Sequence, residues 1–331
     1  MKKLIRVVVG VVLLVIVVAG AGVGYLFVAF PKVGPPSAVR IETTPGRLAR
    51  GEYLANHVSG CIDCHSVRDW SRFSGPIKPE TRGGGGGRFD RATAGVPGVL
   101  HARNITPAGI GSWTDGEVLR AVAAGVSKDG TPLFPLMPYP HFGTMAEDDV
   151  HAIIAYIRTL KAIDRTVPAR SLTFPMNIIT RIIPAPAAFG TRPPETDKAA
   201  SGQYLVNAAA CTDCHTPIDN RGQPLPGKEF AGGTEFQHPD LGFRVRSANI
   251  TPDTDSGIGA WTEQQFIDKF KGFESPSDHV LTDAEQRQNT AMPWTLFAGM
   301  TREDLSAIYA YLRTLSPVVN RVTKFPDAKV E

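Results

Sequence analysis

Apolar residues along the chain form one long uninterrupted run and two shorter periodic patterns. Between Val7 and Phe30 there are 24 residues without a charged side chain, enough for a helix that spans the hydrocarbon core of a membrane. Further along, the segments Val150–Ile157 and Leu305–Leu312 carry apolar or aromatic residues at i, i+3, i+4 and i+7. This period predicts two amphipathic helices, each with one buried stripe.

Helix-start signals predict further helices. The segments Thr114–Glu117 and Thr262–Gln265 have the spacing of capping boxes, in which the first and fourth residues satisfy each other's backbone donors. Short helices are also expected around Gly51 and Gly202. Few segments alternate with period two over the length of a strand, and the intervening stretches are rich in glycine and proline. The pattern therefore predicts a mainly α fold with much irregular coil.

All four cysteines lie in two CxxCH motifs, Cys61-Ile-Asp-Cys64-His65 and Cys211-Thr-Asp-Cys214-His215. Two thiols at this spacing can form thioethers with one porphyrin, and the adjacent histidine can bind its iron as the proximal ligand. A structural zinc site needs four ligands close together, and a thioredoxin-like dithiol needs a βαβ context. Neither context is present. The motifs predict two covalently bound haem c groups.

The chain is duplicated around these motifs, which form one of six blocks that recur in the same order. The other five are Gly51–Asn56 and Gly202–Asn207, Asn104–Pro107 and Asn249–Pro252, Gly109–Thr114 and Gly257–Thr262, Met137–Pro138 and Met292–Pro293, and Ala155–Leu160 and Ala310–Leu315. The period exceeds solenoid lengths, so each copy is interpreted as a small domain. We predict a membrane anchor at 1–30, haem domains at 48–165 and 198–320, and a Pro-rich linker at 166–197.

The repeat also offers a second iron ligand in each half. Met137 and Met292 follow their haem motifs, and each precedes a proline that stiffens the loop. Thioether sulfur is a soft ligand that favours ferrous iron and raises the potential. We predict His65 with Met137 at one iron and His215 with Met292 at the other.

Other residues compete for the same role. Either predicted methionine could instead be an ordinary core residue. Met145 and Met300 also recur, but they lie at the start of the last predicted helix, where packing explains them. His141 could replace Met137, although its counterpart in the second half is Leu296.

Several residues are expected to support the domains. The glycine run Gly83–Gly87 is interpreted as a mobile surface loop. Gly51 and Gly202 would let the first and last helices of each domain approach closely. Trp113 and Trp261 either donate to haem propionates or pack in the core. The repeated tyrosines are expected between the first and last helices of each domain: Tyr53, Tyr156, Tyr204 and Tyr311.

Charge predicts location. Lys2, Lys3 and Arg6 precede the apolar run and would stay in the cytoplasm, which places the rest of the chain on the periplasmic side of the inner membrane. A cleaved signal peptide is the alternative. Without those three residues, 32 basic and 32 acidic residues remain. No basic run of the kind that binds nucleic acid is present, and neither a P-loop nor a dinucleotide fingerprint occurs.

The exported part resembles di-haem c-type cytochromes, and more narrowly the cytochrome c subunits of bacterial membrane-bound alcohol and sugar dehydrogenases. The resemblance covers residues 48–320 and rests on Asn249–Asp253 followed by Gly257–Trp261, on Leu136–Tyr139, and on the repeated Ala-Tyr-Ile/Leu-Arg-Thr-Leu helix end. It implies covalent haem attachment at Cys61, Cys64, Cys211 and Cys214, with His65, Met137, His215 and Met292 as iron ligands.

These features predict an electron-transfer protein and not an enzyme. Electrons would arrive from a periplasmic dehydrogenase or a quinol-oxidising complex and leave to another cytochrome or a terminal oxidase. One alternative is an anchoring subunit that tethers a partner and uses its haems only incidentally. The other is a di-haem enzyme, such as a peroxidase or a sulfur-compound dehydrogenase. That alternative requires an open or displaceable position at one iron.

Overall fold

The structure is a computed structural model that describes residues 1–219, 222–275 and 277–327. The predicted apolar helix is present as α1 (Lys2–Ala29), which begins before the uncharged run and is exposed over most of its length. Within the described residues it is the one helix long and apolar enough to cross a membrane.

The rest of the described chain is mainly helical, as predicted. The helices are α2 (Pro45–Tyr53), α3 (Cys61–Cys64), α4 (Arg91–Ala94), α5 (Pro107–Ile110), α6 (Asp115–Ala124), α7 (Tyr139–Phe142), α8 (Glu147–Ile157), α9 (Met176–Ile179), α10 (Lys198–Ala208), α11 (Cys211–His215), α12 (Glu263–Lys271), α13 (Asp283–Gln286), α14 (Trp294–Phe297) and α15 (Arg302–Leu312). A π-helical turn, Leu54–Val58, continues α2. Short 3₁₀ turns cover Pro79–Thr81, Thr180–Ile182 and Pro239–Leu241.

Five short strands in the described part of the chain were not predicted. β1 (Arg88–Asp90), β2 (Gly98–His101) and β3 (Ser171–Leu172) form one antiparallel sheet, and β4 (Glu235–His238) pairs with β5 (Phe243–Arg246) in a second. Each strand has two to four residues. That is too short for period-two alternation to show in the sequence, so these strands depend on the surrounding tertiary structure.

The first and last helices of each half pack at very short distances, as predicted. A Cβ atom at Gly51 of α2 would lie 1.9 Å from the carbonyl oxygen of Ala152 in α8. A Cβ atom at Gly202 of α10 would lie 1.9 Å from the carbonyl oxygen of Ala307 in α15. Only glycine permits this approach. Both predicted capping boxes are present, at the N-termini of α6 and α12.

The two halves interlock through a reciprocal pair of tyrosines. The Tyr53 hydroxyl donates to the Asp304 carboxylate of α15, and the Tyr204 hydroxyl donates to the Asp149 carboxylate of α8 at 2.7 Å. Because each tyrosine crosses to the other half, the prediction that these two lie between the helices of their own domain is wrong. Tyr156 fits the prediction, since its hydroxyl accepts from Asn56 within the first half.

The stretch 166–197 between the halves contains β3, α9 and one 3₁₀ turn, and no long helix, as its prolines predict. Part of it is bonded to the first half, where the Ala188 N–H donates to the Gly143 carbonyl at 2.8 Å. The buried apolar core includes residues of both halves, among them Leu54, Ile154, Met145, Met300 and Leu305. Met145 and Met300 are both buried, which is compatible with the packing role predicted for them.

Candidate haem sites

Each CxxCH motif folds into a single helical turn. α3 follows Gly60, whose φ is +64°, and α11 follows Ala210, whose φ is +50°. In the first motif the His65 N–H donates to the Cys61 carbonyl at 2.9 Å. The turn therefore brings two thiols and a histidine into one short segment. No disulfide links any of the four cysteines.

The histidine of each motif is oriented in the same way. His65 Nδ1 lies 2.7 Å from the Arg103 carbonyl oxygen, and His215 Nδ1 lies 2.8 Å from the Ala248 carbonyl oxygen. A carbonyl can only accept, so Nδ1 carries the proton and Nε2 keeps its lone pair for a metal. Burial lowers the pKa of both histidines, which favours this neutral form.

The cysteine thiols are poorly suited to act as nucleophiles in the absence of a porphyrin. Burial raises the pKa of Cys61, Cys64 and Cys211 to about 12. A protonated thiol is a weak nucleophile and a weak metal ligand. This disfavours a reactive dithiol at either motif, and it is compatible with thioether formation to a porphyrin.

The glycine run is buried beside the first motif, so its interpretation as a mobile surface loop is wrong. Gly83, Gly84 and Gly85 are buried, and the Gly85 N–H donates to the His65 carbonyl at 2.7 Å. A Cβ atom at Gly85, where φ is +75°, would lie 2.6 Å from a backbone oxygen of the next segment. The conformation and the close approach both require glycine.

The second half repeats this contact with fewer glycines. The Gly232 N–H donates to the His215 carbonyl at 2.7 Å, and φ at Gly232 is +72°. Sequence reasoning missed Gly85 and Gly232 as residues that support the motifs. The signal was the Gly-Gly pair that occurs about 20 residues after each CxxCH histidine.

The recurring asparagines hold the loops that carry the histidine-binding carbonyls. Asn104 Nδ2 donates to the Ile163 carbonyl at 2.8 Å, and its Oδ1 accepts from the Thr106 hydroxyl at 2.7 Å. Asn249 Nδ2 donates to the Val318 carbonyl at 2.8 Å in the same way. Each asparagine directly follows the residue whose carbonyl accepts from the proximal histidine. These bonds therefore fix the orientation of the imidazole indirectly.

A large cavity of about 1550 Å³ joins several predicted site residues. It exceeds the usual range for small-molecule and cofactor pockets, so it has room for a porphyrin. Its lining is chiefly apolar, with Phe266, Phe270 and Ile308 among its walls. Cavity size, apolar walls and the N and S donors together fit haem c. The predicted site residues that line it are Cys64, Cys211, Cys214, His215 and Met292.

The remaining predicted residues, Cys61, His65 and Met137, do not line this cavity. Cys61 and Met137 pack against the buried apolar core. Both Met-Pro segments form the same tight turn, because the N–H two residues after each methionine donates to its carbonyl, at 2.7 Å for Met137 and 2.9 Å for Met292. The structure thus gives the two methionines matching backbone geometry.

The loop around Met292 is held by the other half of the chain. Buried Ser74 donates through Oγ to the Met292 carbonyl at 2.6 Å, and the same oxygen accepts from the Trp294 N–H at 2.9 Å. Asn289 completes the contact, since its Oδ1 accepts from the Ser74 N–H at 2.8 Å and its Nδ2 donates to the Trp70 carbonyl at 3.3 Å. Nothing in the linear sequence indicates this contact.

His141 is occupied by hydrogen bonds. Its Nδ1 lies 2.9 Å from Asn207 Oδ1 and its Nε2 lies 2.8 Å from Asp213 Oδ1, both in the second half. This arrangement argues against His141 as an iron ligand. Trp261 lines the large cavity, whereas Trp113 packs against the core.

Comparison with known proteins agrees with this geometry. A family model described as cytochrome c matches residues 199–316. The chain is also 30% identical over 316 residues to a "Diheme cytochrome c-type" protein of Cereibacter sphaeroides, covering 90% of this chain and 95% of the relative. The chain belongs to the cytochrome c family. Membership implies covalently bound haem c and a role in electron transfer, as predicted.

Other similar proteins are subunits of larger assemblies. The chain is 29% identical over 286 residues to the fructose dehydrogenase cytochrome subunit of Gluconobacter japonicus, covering 81% of this chain and 52% of the relative. It is 28% identical over 286 residues to the cytochrome c subunit of alcohol dehydrogenase (quinone) of Gluconacetobacter polyoxogenes, covering 82% and 56%. The chain thus spans about half the length of these relatives. Their names confirm the predicted resemblance and favour an electron-transfer subunit over an enzyme.

Proposed function

We propose that this protein is a membrane-anchored di-haem cytochrome c that transfers electrons from a dehydrogenase or quinol-oxidising partner to a downstream cytochrome or oxidase. The observation that carries the proposal is the matched geometry of His65 and His215. In both CxxCH turns the histidine Nδ1 is within 2.8 Å of a backbone carbonyl, and this leaves Nε2 available to iron.

Each half would bind one haem as a separate domain, at 48–165 and at 198–320. Cys61 and Cys64 would tether the first haem, and Cys211 and Cys214 the second. The irons would be held by His65 with Met137 and by His215 with Met292. A haem supplies one-electron redox chemistry when it is bound. The chain's own task is to keep the ligands fixed and to exclude water from the iron.

The large cavity supports transfer between the two sites. It is lined by Cys64 of the first motif together with Cys211 and Cys214 of the second. Both attachment segments therefore border one cavity. We infer that electrons pass between the two haems within the chain.

The anchor would be α1, with its basic start in the cytoplasm and both haem domains in the periplasm. The relatives named as subunits of fructose and alcohol dehydrogenases support a dehydrogenase as the partner. Purification of the full chain from membranes, followed by identification of bound proteins, tests this part. Reduction of the haems by the partner's substrate would support it, and the absence of any redox partner would argue against it.

The haem assignments are tested separately. The mass of the intact protein should show two attached haems, and fewer than two would refute the di-haem proposal. Met137→Ala and Met292→Ala should each remove the sulfur-to-iron charge-transfer band of one haem and lower the potential of that haem. Met176→Ala is a matched control, since Met176 lies in α9, outside both predicted haem domains. Unchanged spectra for Met137→Ala and Met292→Ala would refute the axial assignments.

A further inference from the structure

We propose that residues 174–183, within the Pro-rich linker, form a second membrane contact that rests in the headgroup region beside the outer end of α1. The proposal rests on α1 being a membrane anchor, as proposed above. The partner is the lipid surface itself, on the same side of the membrane as the haem domains.

The segment 174–183 exposes apolar side chains close together. Phe174 is 78% exposed, Ile182 is 49% exposed and Ile179 is 38% exposed. The ten residues contain one charged side chain, Arg181, and they fold as α9 followed by a 3₁₀ turn. Apolar side chains exposed singly are normal on a protein surface, but a cluster is typical of an interaction site.

Arg181 fastens this segment to the end of α1. Its Nη2 donates to the Phe30 carbonyl at 2.7 Å and to the Phe27 carbonyl at 3.1 Å. Its guanidinium also lies 4.6 Å from the centre of the Phe27 ring. These carbonyls belong to the last turn of α1 and the residue after it, where helical carbonyls lack intrahelical partners. The exposed apolar cluster therefore lies at the level where the apolar run of α1 ends.

Basic side chains accompany the cluster. Lys32 Nζ lies 4.9 Å from the centre of the Phe30 ring. Apolar residues that insert, flanked by cations that meet anionic headgroups, are the combination used by peripheral membrane segments.

The segment 174–183 adjoins the end of α1 and is accompanied by basic side chains. Both features favour lipid over a protein as the partner that covers its apolar side chains. A second attachment changes what the anchor does. A single helix followed by an extended segment would leave the haem domains free to tilt. Contact through 174–183 would hold the first half against the bilayer in one orientation.

Spin labels on the full-length haem-loaded chain can test the contact. Ile179→Cys and Ile182→Cys would be labelled separately in vesicles of phosphatidylethanolamine and phosphatidylglycerol. Accessibility would be compared between oxygen, which concentrates in lipid, and a water-soluble nickel chelate. Val15→Cys in α1 is the control inside the bilayer, and Val319→Cys, a residue 70% exposed in the second half, is the control in water.

We expect the labels at 179 and 182, like the label at 15, to be more accessible to oxygen than to the nickel chelate. The label at 319 should be more accessible to the nickel chelate. If the label at 15 favours oxygen but those at 179 and 182 behave like 319, the membrane contact is wrong and the anchor stands. Shielding of 179 and 182 from both reagents would also overturn it, since protein would then cover them. A water-like label at 15 would refute the anchor, and the contact with it.

Discussion

The contact of Ser74 with the Met292 loop offers a sharp test of how the second site is held. Replacing Ser74 by Ala removes one hydroxyl that donates to the Met292 carbonyl at 2.6 Å and accepts from the Trp294 N–H at 2.9 Å. Ser74 has a φ of +62°, and alanine bears the same backbone strain as serine there. The substitution therefore changes the hydrogen bonds and leaves the backbone requirement unaltered.

The expected cost follows from burial. Ser74 is fully buried, so water cannot replace its hydroxyl without entering the core. A buried group that loses its partner costs about 1–3 kcal/mol. The Trp294 N–H retains a second acceptor, the Met292 carbonyl at 2.9 Å, which places the loss nearer the lower end, at about 1–2 kcal/mol. Such a loss shifts the balance between a held and a released loop by roughly 5- to 30-fold.

The assay is the sulfur-to-iron band of the oxidised protein together with a potentiometric titration. Ser74→Ala should weaken the contribution of one haem to the band and lower one midpoint potential, while the other haem stays unchanged. Ser71→Ala is the matched control, because the Ser71 hydroxyl is exposed and donates only to Asp69, at 2.6 Å. It should change stability by less than about 0.5 kcal/mol. Wild-type spectra, potentials and stability in Ser74→Ala would refute the reasoning.

Three further substitutions test the fold, each by denaturant unfolding of the haem-loaded chain. Tyr204→Phe removes the 2.7 Å bond to buried Asp149 and should lower stability by about 1–3 kcal/mol; no loss would show that this contact does not join the halves. Gly202→Ala places a Cβ atom 1.9 Å from backbone oxygen and should cost more than about 2 kcal/mol, so wild-type stability would contradict the helix contact. Burial alone would lower the pKa of His141, but its bonds to Asp213 and a neighbouring amide raise it overall. Its stabilisation is therefore complete below about pH 6.5 and is lost as pH rises through the higher folded value. The stability gap between wild type and His141→Gln should narrow over that range, and a gap independent of pH would contradict this.

Much of the local structure could be predicted from the sequence. The period of Val150–Ile157 predicts α8, and the capping box at Thr114 predicts the start of α6; both are present. The recurring Gly51 and Gly202 predict close helix contacts. These features succeed because they depend on neighbours a few residues away, where spacing along the chain already determines spacing in space.

Long-range partners could not be predicted in this way. Tyr53 and Tyr204 were expected to serve their own domains, yet each crosses to the other half. A tyrosine on a helix has the same local pattern whichever carboxylate accepts its hydrogen bond. Gly83–Gly87 shows the same limit, because a glycine run is equally compatible with solvent and with a buried segment against His65.

By itself the sequence determined the chemistry of this protein: two CxxCH turns, their repeat, an apolar first helix and membership of the cytochrome c family. Only the tertiary structure decided which segments of one half contact and stabilise loops of the other half. It brought Ser74 to the Met292 turn and placed the apolar side chains of 174–183 at the end of α1. The physical reason is that covalent spacing dictates short-range geometry. Contacts between distant segments depend on how whole surfaces fit, and that fit is not encoded at any one position.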